Sequence, residues 1–460
     1  VTDTGDLFRL TAERAAEYRR RVAEGPHRPE QSYAEAAALW DAPTPETGED
    51  ESEVIAELVR LAGPGLHAMT GPRFHGWVIG GSHPVGVAAD WLTSAWGQNV
   101  GNHHAAPAAA AAEAVAEKWL IDLLRLPAGS TVGFVTGATV ANFVCLAAAR
   151  SEVLRRVGWD VERQGLFGAP SVEVLIGEEA HASVFSALQG LGFGHDRPVR
   201  IAVDDQGAMN PEALGEALAR CDGPVIIVAQ AGQLNSGAFD PLGALMPLAR
   251  AKGAWVHVDG AFGLWARACP SRAHLADGVE LADSWATDGH KWLQTPYDTG
   301  YAIVRDAEAH RRAMTIAASY LPSVGSGERD PTHLVPELSR RGRGFPTWAM
   351  LRHLGRTGVA ELVERHCRCA GLIAQSVGRE PGIAVVNRVV LNQAVLRFGD
   401  DDQKTLDTIA RLQADGVAFA GGAKWRGAWV MRVSVSGYAT TEAEAARTAE
   451  AIVAAWRSVK

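Results

Sequence analysis

The sequence predicts an α/β protein with a mainly parallel sheet, an N-terminal helical segment and a small C-terminal α+β domain. Three observations carry this. Strand-like apolar runs alternate with helical patterns through residue 304, as parallel strands joined by helical crossovers require. Residues 1–60 show helical periodicity and no strand pattern. Beyond about residue 336 the order changes to helices, a few short strands and a closing helix. The expected divisions are residues 1–70 (helical), 71–335 (the large domain) and 336–460 (the small domain).

In chain order, helical spacing runs from Leu7 to Val22 and from Ser52 to Leu61, separated by a Pro- and acid-rich loop around Ala42–Glu46. Gly71 to Pro84 mixes glycines, aromatics and histidines with neither period, which marks a loop. Asn102-His103-His104 precedes an alanine-rich helix from Pro107. Paired histidines invite a metal reading, a pocket-lining reading and a plain surface reading; no acid or thiol stands at ligand spacing, so no metal is expected. Val132–Val135 leads through Thr136-Gly137-Ala138-Thr139 into a helix ending near Arg150. Small residues at a helix start leave backbone N–H groups open to an anion. Strands follow at Val172–Ile176, Val199–Val203, Val225–Ala229, Ala254–Asp259 and Tyr301–Val304, with a helix over Asn210–Arg220. The last third predicts a helix over 345–355, a longer one from Val359 toward Gln375, and strands near 383–386, 395–398 and 430–435. A final helix runs over Thr441–Arg457, where Glu442 and Glu444 suit the dipole of its first turn.

Composition excludes several function classes. A 47% hydrophobic and 21% charged chain of 460 residues is globular in character. Its net charge of −9 argues against nucleic acid or an anionic membrane as partner. Five cysteines without a regular framework suit a reducing cytoplasm, and Cys367 and Cys369 lack the second pair that a zinc site needs. No targeting signal or spanning run is read, so a cytoplasmic location is expected.

Two segments carry the chemistry. Lysine is ordinarily a solvated surface residue, yet Lys291 in Asp288-Gly289-His290-Lys291-Trp292 lies among small and apolar neighbours. In such a partly enclosed place the protonated amine is disfavoured and lysine becomes a nucleophile able to form a Schiff base. Upstream, the strand Trp255-Val256-His257-Val258-Asp259 ends in an acid, followed by Gly260-Ala261. Asp259 is either an N-cap for the next helix or an acid at the carboxyl end of a buried strand, where α/β sheets keep their chemistry. A Lys that forms an imine and an Asp that keeps a pyridine nitrogen protonated are the pair that pyridoxal 5′-phosphate needs.

At these residues the sequence resembles the group II pyridoxal-phosphate-dependent amino-acid decarboxylases, which include glutamate and aromatic amino-acid decarboxylases. The resemblance covers about residues 70–370. It rests on the His-Val-Asp strand, the His-Lys-Trp segment, Glu179-Ala180-His181-Ala182-Ser183-Val184, and Ala231-Gly232 leading to Gly237-Ala238-Phe239-Asp240-Pro241. It implies a fold-type I architecture with a seven-stranded sheet in the large domain, pyridoxal 5′-phosphate as cofactor, and decarboxylation of a small-molecule L-amino acid through a Lys291 Schiff base and a quinonoid intermediate. Lys291, His181 and Asp259 are then the catalytic set. Ala138, Thr139, His181, Asp259, Ala261, His290 and Lys291 bind the cofactor, with Ala138 and Thr139 at the phosphate and His181 against the ring. Trp77, His103, His104 and His333 stand on the substrate side. The N-terminal helices are expected to pack across a partner subunit in a homodimer, a lid on their own domain being the alternative.

Three departures from the family bear on the reaction. Asp288 stands where aromatic amino-acid decarboxylases carry Asn beside the phosphate. Gln233 and Leu234 replace a Thr pair. The loop after Tyr320, Leu321 to Pro331, has no tyrosine at its far end, where decarboxylating relatives keep a proton donor. The alternative outcomes are oxidative decarboxylation-deamination to an aldehyde, another lyase reaction, or aminotransfer. Ser323–Gly327 is expected to form a lid over the partner's site. His333, whose unperturbed pKa is about 6.5, is either the replacement donor or a surface histidine.

Overall fold

Most strands of the large sheet are nearly continuous apolar runs because both of their faces are covered. Trp255–Asp259, Ser284–Asp288 and Gly300–Val304 are buried at every position. In the computed structural model, which describes residues 3–315 and 329–460, the seven strands are β1 (Thr131–Val135), β2 (Glu173–Gly177), β3 (Val199–Ile201), β4 (Val225–Gln230), β5 (Trp255–Asp259), β6 (Ser284–Asp288) and β7 (Gly300–Val304). They lie in the order β1-β7-β6-β5-β4-β2-β3. Pairs β2/β3, β2/β4, β4/β5 and β5/β6 are parallel, and β7 runs antiparallel to both β6 and β1. Every strand except β7 therefore points the same way. The carboxyl ends of β1, β2, β4, β5 and β6 share one edge of the sheet, the edge on which open α/β sheets bind ligands. This is the seven-stranded, mainly parallel sheet expected.

Helix Ala138–Arg156 packs across this sheet. Its Ala141, Val144, Cys145 and Ala148 join Val174, Ile226, Val228 and Ala286 of the strands in one buried core cluster. The helix is small-residue-rich on its sheet-facing side, which lets its backbone come close. Close approach is also needed where β7 begins. A Cβ on Gly300 would lie 2.5 Å from the Cα of Gly137, so glycine is required there.

The chain divides into two compact units. The larger comprises residues 78–368 and 387–394, and the smaller residues 1–77, 369–386 and 395–460. The smaller unit is built on a four-stranded sheet of β8 (Ile383–Val385), β9 (Gln393–Phe398), β10 (Gly421–Trp425) and β11 (Ala428–Ser434), ordered β10-β11-β9-β8. Helices Asp402–Asp415 and Glu442–Val459 belong to the same unit, each capped by a side chain (Asp401 and Thr441). Its N-terminal part holds helices Thr4–Arg21, Tyr33–Trp40 and Glu51–Ala62, capped by Asp3, Ser32 and Asp50. None of the three contains a buried residue, and Val54, Leu58 and Val59 on the third are each more than two-fifths exposed.

The helix predicted over 345–355 and the one after it form Gly344–Val377, broken at Gly355, whose φ of 60° and ψ of −176° are not helical. Tyr320 and the predicted lid Ser323–Gly327 lie outside the described residues. Among the described residues no helix is long and apolar enough to cross a membrane.

Candidate active site

The shared carboxyl edge of the sheet opens into a cavity of about 340 Å³. Each strand end contributes to it. Beyond β1, Thr136 to Thr139 line it; beyond β2, His181 and Ser183; beyond β4, Gln230, Gly232 and Leu234. Asp259 and Ala261 come from the end of β5, and Asp288, His290 and Lys291 from the end of β6. Val78, Ile79, Phe262 and Tyr297 complete the wall.

Lys291 is held in place by its neighbours along the chain. Trp292 is buried and donates its indole N–H to His366 Nδ1 at 2.8 Å. Gly80 donates to the His290 carbonyl at 2.9 Å, and a Cβ on Gly80 would lie 2.4 Å from the carbonyl oxygens of His290 and Lys291. Gln294, at a φ of 61°, joins the loop on both sides: its Nε2 donates to the Lys291 carbonyl at 2.8 Å and its Oε1 accepts from Gly81 N at 2.8 Å. A non-glycine residue at positive φ costs roughly 1–3 kcal/mol and recurs at sites that need a fixed geometry. The free end of Lys291 is held by an acid: its Nζ lies 2.9 Å from Asp288 Oδ2.

Asp288 also accepts the backbone N–H of Ala138 at 2.6 Å, at the start of helix Ala138–Arg156, and lies 3.4 Å from His290 Nε2. Its carboxylate thus sits on the positive end of that helix, where a negative charge is favoured. His290 Nδ1 accepts from Thr299 N at 3.2 Å, which leaves Nε2 to carry the proton toward Asp288. Burial pulls the His290 pKa down, partly offset by Asp288. Tyr297 stacks on His290 with ring centroids 4.2 Å apart, and burial pushes its phenol well above its ordinary range.

Asp259 is 5% exposed. Its Oδ1 accepts from Ala261 N at 3.1 Å and its Oδ2 from Asn142 Nδ2 at 3.3 Å. Burial raises its pKa; His181 and Lys291 act the other way, as do these two hydrogen bonds. It is not a helix cap: the 3₁₀ turn that follows has Phe262 at its start and no side-chain cap. His181 caps helix Ala182–Gly190, its Nδ1 accepting from Ser183 N at 3.2 Å.

The cavity therefore gathers Lys291, His181, Asp259, Ala138, Thr139, Ala261 and His290. Trp77, His103, His104 and His333 do not line it. Trp77 belongs to the smaller unit, where its ring lies 5.9 Å from Phe74 and 5.7 Å from Phe419. His103 and His104 face each other with centroids 4.1 Å apart, and His103 Nδ1 meets Asp330 Oδ1 at 2.7 Å. His333 ends a short 3₁₀ turn, Pro331–His333. Among the described residues no group of three or more His, Cys, Asp or Glu is arranged to hold a metal.

Sequence reasoning did not single out Tyr297 or Phe262 as lining residues, whereas Val78 and Ile79 belong to the loop Gly71–Pro84 that the resemblance puts at the substrate pocket. The Thr-Pro-Tyr turn just after the lysine was the one available signal for Tyr297. The Gln233-Leu234 departure also resolves: Leu234 takes the wall, while buried Gln233 turns away to Glu179 at 3.2 Å and to the backbone N–H groups of Asn235 and Ser236. Asp240 is a structural clamp, accepting from Gln230 N and Met209 N at 2.7 Å each; burial pushes its carboxyl up to about 7.

The donor set suits a phosphorylated pyridine aldehyde. An amine stands at the end of one strand, a buried acid at the end of the next, and a helix start, where Asp288 already takes the Ala138 N–H, at the end of a third. A Cβ on Gly137 would lie 3.0 Å from His290 Cε1 and 3.2 Å from Asp288 Oδ1, so a side chain there would crowd the cradle. Fold and site together define a fold-type I pyridoxal-phosphate enzyme.

The comparisons with known proteins agree. Residues 29–398 match the pyridoxal-dependent decarboxylase conserved domain, and the chain belongs to that family. It is 28% identical over 375 residues to an aromatic-L-amino-acid decarboxylase of Bacillus atrophaeus, covering 80% of this chain and 76% of that one. It is also 28% identical over 399 residues to phenylacetaldehyde synthase of Arabidopsis thaliana, covering 82% and 79%. A crystal structure of Oryza sativa TDC with PLP and tryptamine superposes with a TM-score of 0.92 at 24% identity, over 99% of this chain and 98% of that one. The protein is a pyridoxal-phosphate-dependent carboxy-lyase that decarboxylates an amino acid.

Proposed function

We propose that this enzyme decarboxylates an aromatic L-amino acid to the corresponding amine, with Lys291 as the residue that carries the cofactor. The observation behind this is the convergence of Lys291, Asp259 and the Ala138–Thr139 helix start on one cavity. The aromatic side chain is inferred from the relatives named above and suits walls formed by Val78, Ile79, Leu234, Phe262 and Tyr297.

When bound, the cofactor supplies an electron sink for the bonding pair left behind as the α-carboxylate departs as carbon dioxide. The chain's residues do the rest. Lys291 is the residue whose amine would hold the cofactor's aldehyde, in exchange with the substrate amine. Asp259 holds a proton on the ring nitrogen, which keeps the sink effective. Ala138 and Thr139 bind the phosphate through backbone N–H groups, aided by the helix dipole. Ala261, His290 and His181, which line the same cavity, would hold the cofactor ring in place. The α-carbon then takes one proton, and the amine leaves.

A second reading is oxidative: amino acid, oxygen and water give aldehyde, carbon dioxide, ammonia and hydrogen peroxide. The absence of tyrosine from Leu321 to Pro331 favours it, as does similarity to an aldehyde synthase. Under the main reading His333 is the proposed donor. Trp77, His103, His104 and His333 would serve the substrate side from across the subunit boundary of a homodimer. The N-terminal helices, with their exposed Val54, Leu58 and Val59, are the proposed dimerisation segment. Residues 71–335 and 336–460 are the proposed large and small domains, and the cytoplasm the proposed location. Sedimentation equilibrium tests the dimer; a monomer at micromolar concentration would remove the cross-subunit assignment.

The function is tested by supplying single amino acids to the purified yellow protein and assaying carbon dioxide, amine, aldehyde and peroxide separately. Amine matching carbon dioxide one-to-one is expected from an aromatic substrate; aldehyde with peroxide in its place selects the second reading. Lys291→Ala should lose the visible absorbance and all turnover. Borohydride fixation of the cofactor on another lysine would overturn the Lys291 assignment.

A further inference from the structure

Behind Asp259, on the side away from the cavity, lies a line of fully buried polar side chains that the reaction as described does not use. Asn142, His257 and Ser284 are each 0% exposed, and Trp255 is 1% exposed. Trp255 Nε1 lies 3.0 Å from Ser284 Oγ, and Ser284 Oγ lies 3.0 Å from His257 Nδ1. His257 Nε2 is 2.8 Å from Asn142 Oδ1, and Asn142 Nδ2 is 3.3 Å from Asp259 Oδ2.

With Asp259 ionised, this chain has one direction. An ionised carboxylate only accepts, so Asn142 presents its NH₂ to Asp259 and its carbonyl to His257. His257 Nε2 therefore carries the proton. Burial pulls the His257 pKa down to about 3, so the ring is neutral and its Nδ1 bare. The bare nitrogen accepts from the Ser284 hydroxyl, and the Ser284 oxygen accepts from the indole N–H, which can only donate. Four consecutive donors point toward Asp259, and hydrogen bonds aligned this way polarise one another. The relay runs from β5 and β6 through helix Ala138–Arg156 and back to the end of β5.

We propose that Asn142, His257 and Ser284 are positioning residues, a directed relay that holds Asp259 ionised and aimed at the cofactor's ring nitrogen. The proposal rests on the reading of Asp259 given above. Burial alone works against that role, because it favours the neutral acid, and a neutral acid cannot keep the ring nitrogen protonated. The relay, through Asn142, adds to the opposing preference that His181, Lys291 and the Ala261 N–H also supply. Asp259 Oδ1 is held separately by Ala261 N, so the carboxylate is fixed from two directions.

The test uses holoenzyme loaded with pyridoxal 5′-phosphate carrying ¹⁵N in the ring, whose chemical shift reports protonation of that nitrogen. His257→Leu removes the donor to Asn142, whereas in His257→Gln the side-chain amide can still donate to it. Wild type and His257→Gln should show a protonated ring nitrogen at neutral pH. His257→Leu should show partial loss of that proton, with kcat down about tenfold, the equivalent of one pKa unit, and KM within about twofold. Ser284→Ala should move both readouts the same way by a smaller factor. It decides the matter if His257→Leu yields no folded holoenzyme. Asp259→Asn is the control for the underlying reading. If it leaves the ring nitrogen protonated and kcat unchanged, Asp259 is not the ring partner and the relay falls with it. If Asp259→Asn abolishes the signal while His257→Leu or Ser284→Ala matches wild type, the relay alone is overturned.

Discussion

Asp288 shows how one residue sets the electrostatics of the whole site. Its carboxylate takes the Ala138 N–H and the Lys291 amine, the groups that the cofactor's phosphate and aldehyde need. Charge at this point opposes an incoming phosphate, and removing it should favour loading. Asp288→Asn is expected to bind pyridoxal 5′-phosphate roughly fivefold more tightly, the scale of about 1 kcal/mol for one screened like-charge contact. Fluorescence titration of apoprotein measures this, and weaker binding by the variant would mean that Asp288 orients Lys291 instead of competing for its site. Lys291 and Asp259 could be read from sequence because an amine and an acid are conspicuous among apolar neighbours. Asn142 and His257 could not be assigned a role that way: their partners lie 117 and 115 residues away, and only the packed sheet brings them together.

Among elements, the large sheet was the most legible, because strands covered on both faces leave continuous apolar runs. Strand β10 was missed: Gly421-Gly422-Ala423-Lys424-Trp425 has neither alternation nor an apolar run. Its pairing with β11 is set by the Arg426-Gly427 turn, both at positive φ (51° and 84°), without the Asn-Gly or Asp-Gly signal that such turns usually carry. Helix Tyr33–Trp40 was likewise unread; eight residues are too few for periodicity to show, although Ser32 and Glu35 form a full capping box. The most constrained contact between elements is that of β7 with the start of helix Ala138–Arg156. Gly300→Ala would put a methyl 2.5 Å from the Gly137 Cα, against backbone that cannot yield cheaply. It should cost about 1–3 kcal/mol of stability, the range for overpacked cores. Because Gly137 leads into the turn proposed to bind the phosphate, cofactor affinity should fall as well. Urea denaturation and cofactor titration check the two halves, and unchanged values for both would show that the contact relaxes freely.

For the whole molecule, the acid response follows from histidines buried in both units. Burial lowers His27 to about 4 and His75 to about 3 in the smaller unit, and His257 and His310 to about 3 in the larger. An unfolded histidine titrates near 6.5. Their contribution to stability is thus fully present above pH 6.5. It is lost as pH falls toward the folded values, because the unfolded chain takes up protons that the native chain refuses. Buried acids oppose this in the same window. Asp240, raised to about 7, and Asp259 and Asp283, raised by burial, are strained as carboxylates, so acidification relieves them. Burial also lowers His67 and His290, so six histidines stand against these three acids and the balance between pH 5 and 6 favours acid destabilisation. Each unbalanced proton changes stability by about 1.4 kcal/mol per pH unit. Urea midpoints should therefore fall from pH 7 to pH 5. His75→Leu should flatten that dependence by about one proton, whatever it does to stability at pH 7. Midpoints that stayed level, or rose on acidification, would mean that the buried acids dominate and that the histidines gain protons without unfolding.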